Sequence, residues 1–373
     1  MISKTLESYH DRNVTILNLS EGKNGIEIFH LLVSRFQEYQ PNLTYLGRAR
    51  LHLFKSICLP SITSQTTQNF IWVIKTDPRL DESIKIDFIN IVKPFRNIFL
   101  VPYLEDISIE HFYERKHLNF SLWSGDLGIW TRDISKARIK MMTRLDIDDG
   151  LNINYFKDLQ LDAAKTLNSN RQWQKAYCLH GDLTKKTLEW VPEQTEVGIL
   201  QVHKKDKICI TPGITIATIK NKKIHFDNHV KMWSDWSNGN QHKKCGATGS
   251  KKCIVSGVSK NVSYIYYAIR SRSITSAGMA NIKNSALVSS ENLVSKFNIS
   301  ESQKNLFQKC SESFNVTNYN ENIETTVKYI LKYTKEIASD NLNGQGVGIN
   351  CQYSCKDSAR NVLKKIINTN STI

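Results

Sequence analysis

Between residues 26 and 167 the chain alternates short apolar runs with segments of helical periodicity, and this alternation constrains the fold more than any other feature. Ile26–Val33, Asn69–Ile74, Asn97–Val101 and Met141–Leu145 are each five to eight residues long and rich in β-branched or aromatic side chains, as buried strands are. Between the first two, Leu46, Ala49, Leu53, Ile57 and Leu59 fall near helical spacing, with Pro60 as an interruption. Leu80–Val92 reads as a helix, Thr131–Lys140 as a short basic helix, and Asn152 to about Leu167 as another. Strands alternating with helices imply βαβ units and a mostly parallel sheet, with ligands bound beyond the carboxyl ends of the strands. Trp173–His180, Thr187–Val191 and Ile208–Ile219 follow as shorter strands. From Ser285 the chain turns polar, with a helical stretch near Ile323–Ile337, and the last segment, Asn341–Ile373, packs weakly apart from Ala359–Ile367. The expected organisation is a polar segment over 1–25, an α/β domain over 26–284, and a helical, polar extension over 285–373.

Composition narrows the function. Hydrophobic residues make up 40% of the 373, enough for a sizeable core, which excludes a wholly disordered chain. No apolar run approaches the ~20 residues that span a bilayer. The first ten residues lack the apolar core of a secretory signal, so the expected location is cytoplasmic, with peripheral membrane contact through basic residues. Lys+Arg number 50 against 35 Asp+Glu, a formal charge of +15. Such an excess suits a nucleic acid, an anionic membrane surface or a phosphate-bearing small molecule. The basic residues are scattered, and no recognition helix, RNP-like strand or zinc-finger spacing accompanies them, so nucleic acid is not the expected partner. None of the eight cysteines forms a Cys-x-x-Cys pair, which argues against a structural zinc site. Cys58 lies in apolar surroundings and reads as a buried thiol.

The sharpest chemical feature is Asp146-x-Asp148-Asp149, directly after a strand. On an extended backbone Asp146 and Asp148 project to the same side. Two carboxylates held there repel each other unless a cation lies between them, and oxygen-only ligation suits Mg²⁺ or Mn²⁺. A metal so placed can neutralise a departing diphosphate. Arg138 and Arg144 flank the cluster and suit a pyrophosphate environment, or equally are ordinary ion-pair partners. The competing reading is a turn, with an Asp capping the helix near Asn152.

The run Thr143-Arg-Leu-Asp-Ile-Asp-Asp-Gly-Leu151 closely resembles the T-R-L-D-x-D-D-x-L signature of the family described as putative rhamnosyl transferase, a GT-A-like glycosyltransferase group. Leu53-Phe-Lys-Ser-Ile-Cys-Leu-Pro-Ser-Ile-Thr-Ser-Gln65 and Asn69-Phe-Ile-Trp-Val-Ile-Lys-Thr-Asp77 resemble its "L-F-…-C-L-P-S-…-Q-…-F-x-W" segment. Thr211-Pro-Gly-Ile-Thr215 and Ile269-Arg-Ser-Arg-Ser-Ile-Thr-Ser-Ala-Gly-Met279 are similar to further motifs of its members. The resemblance spans about residues 26–280.

The resemblance implies a GT-A-like, Rossmann-type α/β fold, a nucleotide-sugar donor, and a glycan or other hydroxyl compound as acceptor. By the same analogy Asp146 and Asp148 would bind a metal–diphosphate with Mn²⁺ or Mg²⁺, Asp149 supporting them. Asp77 falls where such enzymes place an acid near the base or ribose, with a turn before Pro78 as the alternative. His229 would be a late third metal ligand, against an ordinary surface or core histidine. Arg270 and Arg272 would fold over the donor phosphates, against a solvated loop. Transfer by inversion needs a carboxylate within reach of the acceptor hydroxyl, and Asp227 and Asp235 are the candidate bases. The rival readings are a catalytically silent carbohydrate-binding protein on the same fold and a basic nucleic-acid- or phosphate-binding protein.

Overall fold

A computed structural model of the chain describes residues 28–38, 44–104, 122–126 and 137–167, Pro41 and Ile129, and from there to Ser300 the elements bounded below. The first apolar run forms β1 (Ile28–Phe36), buried throughout except at Arg35. Burial on both faces is why its sequence is continuously apolar rather than alternating. β1 lies between two parallel neighbours, β2 (Ile71–Thr76) and β4 (Ile139–Arg144), and β2 pairs in parallel with β3 (Ile98–Pro102). Beyond β4 runs β9 (Ile210–Thr218), antiparallel both to β4 and to β6 (Gln174–Leu179). β10 (Cys253–Gly257) adds in parallel to β6, giving the seven-stranded order β10-β6-β9-β4-β1-β2-β3. The mixed, mostly parallel α/β sheet is the one expected. Ile139 and Lys140, expected to end a basic helix, instead open β4, where Ile139 pairs with Ile28.

Residues 44–63 form a helical rod: α1 (Thr44–Leu53), a π turn (Phe54–Cys58) and α2 (Leu59–Thr63). Pro60 lacks an N–H, and in a regular α-helix its ring would press on the Ser56 carbonyl. The expected interruption takes the form of a π turn, in which the Leu59 N–H bonds to the Phe54 carbonyl five residues back. α3 (Glu82–Val92) is capped by Asp81, whose carboxylate accepts from the Ser83 and Ile84 N–H groups. Phe88 of α3 meets Phe36 and Phe54 edge-on at 4.7 and 5.1 Å, and the Trp72 indole donates to Ser34 Oγ at 2.9 Å.

α4 (Tyr155–Thr166) begins three residues later than expected. Asn152 is held elsewhere: its N–H donates to the Tyr267 carbonyl at 2.9 Å, its amide to the Tyr266 carbonyl at 2.7 Å, and its Oδ1 accepts from the Asn154 N–H at 3.0 Å. Those bonds pin it beside a second sheet of five strands. β5 (Gly150–Leu151), β7 (Lys186–Trp190), β8 (Ile199–Val202), β11 (Tyr266–Ser271) and β12 (Ala286–Leu287) pair in the order β12-β8-β7-β11-β5. Packing does not end at residue 284. α5 (Ser290–Phe297) and Ile299 bury Leu293, Phe297 and Ile299 against Leu53, Ile57, Trp190 and Ile269. The helical stretch expected near 323–337 and the packed segment expected over 359–367 lie outside the described residues. Among the described residues no helix is long and apolar enough to cross a membrane.

Candidate functional site

Because β1, β2, β3 and β4 run in parallel, Phe36, Thr76, Pro102 and Arg144 end along one edge of the sheet. The acidic cluster leaves the sheet there. The Leu145 N–H still bonds the Val33 carbonyl at 3.1 Å, and then the Asp149 N–H closes onto the Asp146 carbonyl at 3.0 Å. Residues 146–149 therefore close a turn, as the competing reading expected, but no Asp caps the following helix, whose N-cap is Asn154.

The L-F-…-C-L-P-S-…-Q run cradles this turn. The Cys58 thiol faces the Asp146 carbonyl at 4.0 Å. Burial, then the three nearby acids, pushes that thiol well above its ordinary range, so it stays protonated. A Cβ on Gly150 would meet Ile57 Cγ2 at 2.9 Å and Ser61 Oγ at 3.3 Å, so only glycine lets the turn approach the π turn this closely. The Ser61 hydroxyl donates to the Cys58 carbonyl at 2.8 Å and accepts the Leu151 N–H at 3.2 Å. The Gln65 amide donates to the Ser61 and Asn152 carbonyls at 2.9 and 2.8 Å, and its oxygen accepts the Phe156 N–H at 3.0 Å.

A buried polar chain ties β4, the strand that leads into the turn, to β1, α4 and β9. His30 Nδ1 accepts from the Gln160 amide at 3.1 Å, and its Nε2–H meets Thr143 Oγ1 at 2.7 Å. Thr143 contacts Thr215 Oγ1 at 2.6 Å, and Thr215 donates to the Gly213 carbonyl at 2.9 Å. Burial pushes His30 down to about 3, so the ring is neutral. The chain links Thr143, which opens the T-R-L-D run, to the T-P-G-I-T run on β9. Gly213 has φ +74°, and a Cβ there would collide with the Tyr155 ring at 2.7–2.9 Å.

The three acids are not equivalent. Asp149 is buried, and its Oδ1 accepts the Ser271 N–H of β11 at 2.7 Å. Burial, and then the charges of Asp148 and Asp146, hold its carboxyl well above the usual range, while Ser271 and Arg270 pull the other way. Asp146 and Asp148 remain half-buried, with part of their surface open. Burial raises Asp148, Arg50 opposes the shift, and Asp146 adds to it. Two part-open, mutually repelling carboxylates form a donor set that suits a hard divalent cation. Among the described residues no group of three or more His, Cys, Asp or Glu side chains could hold a metal.

Arg50 was not singled out from the sequence. It lies half-buried on α1, where its Nη1 donates to Gln37 Oε1 at 2.5 Å and its charge acts on Asp148 and Asp146. Gln37, just past β1, is buried with φ +50°. A Cβ on Gly47 would come within 3.2 Å of Gln37 Nε2. The available signal was periodicity: Arg50 stands three and four residues before the fully buried Leu53 and Phe54, so a charge occupies the apolar face of the helix.

The other expected residues are dispersed. Asp77, fully buried after β2, lies on the same edge two strand spacings from β4, roughly 10 Å away. Its carboxylate accepts the Arg79 N–H and the Arg79 Nε–H and Nη2–H, each at 2.9 Å, which makes it a turn residue clasped by its own neighbour. Arg144 closes β4, half-buried and level with Val33 and Ile214. Arg138 is exposed at the amino end of β4, away from the acidic turn, so it is not brought to the cluster. Arg270 lies on β11 beside Asp149. Asp227, His229, Asp235 and Arg272 lie outside the described residues.

The family described as "Putative rhamnosyl transferase" matches residues 45–244, more than half of the chain. The chain belongs to that family. The match with this glycosyltransferase family runs from α1 to beyond β9 and takes in the π turn, the acidic turn and the T-P-G-I-T run. No curated protein matches the chain. Among solved structures, the galactosyltransferase LgtC in complex with donor and acceptor sugar analogues is 11% identical, over 77% of this chain and 96% of that one, with a TM-score of 0.29. S. aureus TarS is 11% identical, over 81% and 80%, with a TM-score of 0.26.

Proposed function

We propose that the chain transfers a sugar from a nucleotide-diphosphate donor to an acceptor hydroxyl, with Mn²⁺ or Mg²⁺ held by Asp146 and Asp148. The observation that carries this reading is the division of labour in the turn: Asp149 faces inward to the Ser271 N–H, while Asp146 and Asp148 keep open surface at the carboxyl edge of the sheet. Family membership supports glycosyl transfer, and rhamnose is the sugar named in the family's description. When bound, the cation would offset the charge that builds on the departing diphosphate. The chain's own part is positional. The π turn lies against the acidic turn, Gln65 holds the segment that leaves it, the His30–Thr143–Thr215 chain ties the strand that leads into it, and Asp149 bonds β11. Arg270 stands next to that contact, where a guanidinium suits a diphosphate.

A panel of UDP-, GDP- and dTDP-sugars, scored for Mn²⁺-dependent donor hydrolysis and thermal shift, tests the reading. At least one donor should respond, and Asp148→Ala should lower its hydrolysis by 100-fold or more, on the order expected for loss of a transition-state charge partner. Silence from every donor would overturn the reading and return the silent carbohydrate-binding alternative.

A further inference from the structure

Arg50 sits on α1 with its guanidinium bonded to Gln37, just past the carboxyl end of β1 and beside the place where Leu145 leaves the sheet for the acidic turn. There it stands in the field of Asp148 and Asp146, and its neighbours hold it in place. Gln37 adopts a left-handed backbone at φ +50°, buried, to present its amide oxygen to Arg50 Nη1. Glycine at position 47 is needed to let Gln37 and Ile84 in, since a Cβ would lie 3.2 Å from one and 2.7 Å from the other. A half-buried arginine held this way, with a planar fork of donors, suits a diphosphate better than a lone carboxylate pair does.

We propose that Arg50 is a donor-diphosphate-binding residue that guards the Asp146–Asp148 pair in the free protein and turns to the diphosphate when a divalent cation takes its place. The inference rests on the transferase reading above. Its logic is electrostatic. A dication on the acids repels the guanidinium beside them, so Arg50 disfavours the metal alone. A diphosphate attracts both cations and relieves that repulsion. Metal and diphosphate therefore bind with positive coupling, and Arg50 sets its size.

The test is calorimetric titration of the full chain with Mn²⁺ and with UDP, GDP or dTDP, each alone and in the presence of the other. In the wild type each should tighten the other. Arg50→Gln should bind Mn²⁺ alone more tightly, bind diphosphate with Mn²⁺ about tenfold more weakly, and lose most of the coupling, within the range such couplings span. A merely structural role would weaken both ligands alike, and that result overturns the proposal, as does an unchanged coupling. Should Arg50→Gln fail to fold, Arg50→Lys carries the test: it keeps the charge but not the fork, so the coupling should persist while diphosphate affinity falls. Unchanged diphosphate affinity in Arg50→Lys also overturns it. A wild type that binds neither ligand overturns the transferase reading itself, whereas normal wild-type coupling that survives Arg50→Gln overturns only the role of Arg50.

Discussion

The backbone N–H of Ser271 donates to the Asp149 carboxylate across 2.7 Å, joining two segments 122 residues apart in sequence. That bond ties Asp149 into the scaffold, while its neighbours Asp146 and Asp148 keep open surface. It also links β11 to the turn at the end of β4, so the two sheets meet at the candidate site.

Asp149 should accordingly tolerate an amide but not a methyl group. Asp149→Asn keeps an oxygen for the Ser271 N–H and should stay within about 1 kcal/mol of the wild type. Asp149→Ala strands that buried donor and should cost about 1–3 kcal/mol. Urea denaturation of both variants reads the difference.

His30 makes the fold acid-sensitive. Its folded-state value is pushed down to about 3, below the ordinary value of about 6.5. A group lowered on folding contributes stability that is present above its unfolded value and lost as pH falls towards its folded value. Stability should therefore decline between about pH 6.5 and 3 by up to about 1.4 kcal/mol per pH unit from this residue. His30→Gln should flatten that part of the profile, as measured by denaturant unfolding across the series.

Gly213 and Gly150 separate strain from crowding. Gly150→Ala pushes a methyl onto Ile57 and Ser61 and should cost about 1–3 kcal/mol, the usual range for overpacking. Gly213→Ala adds a positive φ to its collision with Tyr155, so it should lower Tm further. Equal Tm values for the two variants would argue that the Tyr155 side chain simply moves aside.

Gln65 should be more sensitive to charge than to truncation. Its amide nitrogen serves the Ser61 and Asn152 carbonyls, both as acceptors. Gln65→Glu sets a carboxylate against them and should destabilise more than Gln65→Ala at neutral pH. The order should narrow in acid, where the Glu side chain regains a proton to donate.

The sheet strands were legible in the sequence because burial on both faces leaves an unbroken apolar run, as in β1 and β2. The acidic turn was legible for a similar local reason: its residues are adjacent. Pro60 marked an interruption of the helix, and its form, a π turn after which the helix resumes to Thr63, depends on packing that local sequence does not show. The helix start near Asn152 slipped to Tyr155 because Asn152 spends its hydrogen bonds on β11, more than a hundred residues away. The polar tone after Ser285 concealed Leu293, Phe297 and Ile299, since one apolar face on a short helix barely alters local composition. Arg50 lies nearly a hundred residues before Asp146, so only its place among buried helix positions hinted at a role.

The most direct test of the account is calorimetric titration of Mn²⁺ plus nucleoside diphosphate into Asp146→Asn, Asp148→Asn and Asp149→Asn. The account predicts that binding is lost in the first two and kept in the third. Retention in all three, or a loss in Asp149→Asn as large as in the others, would contradict it.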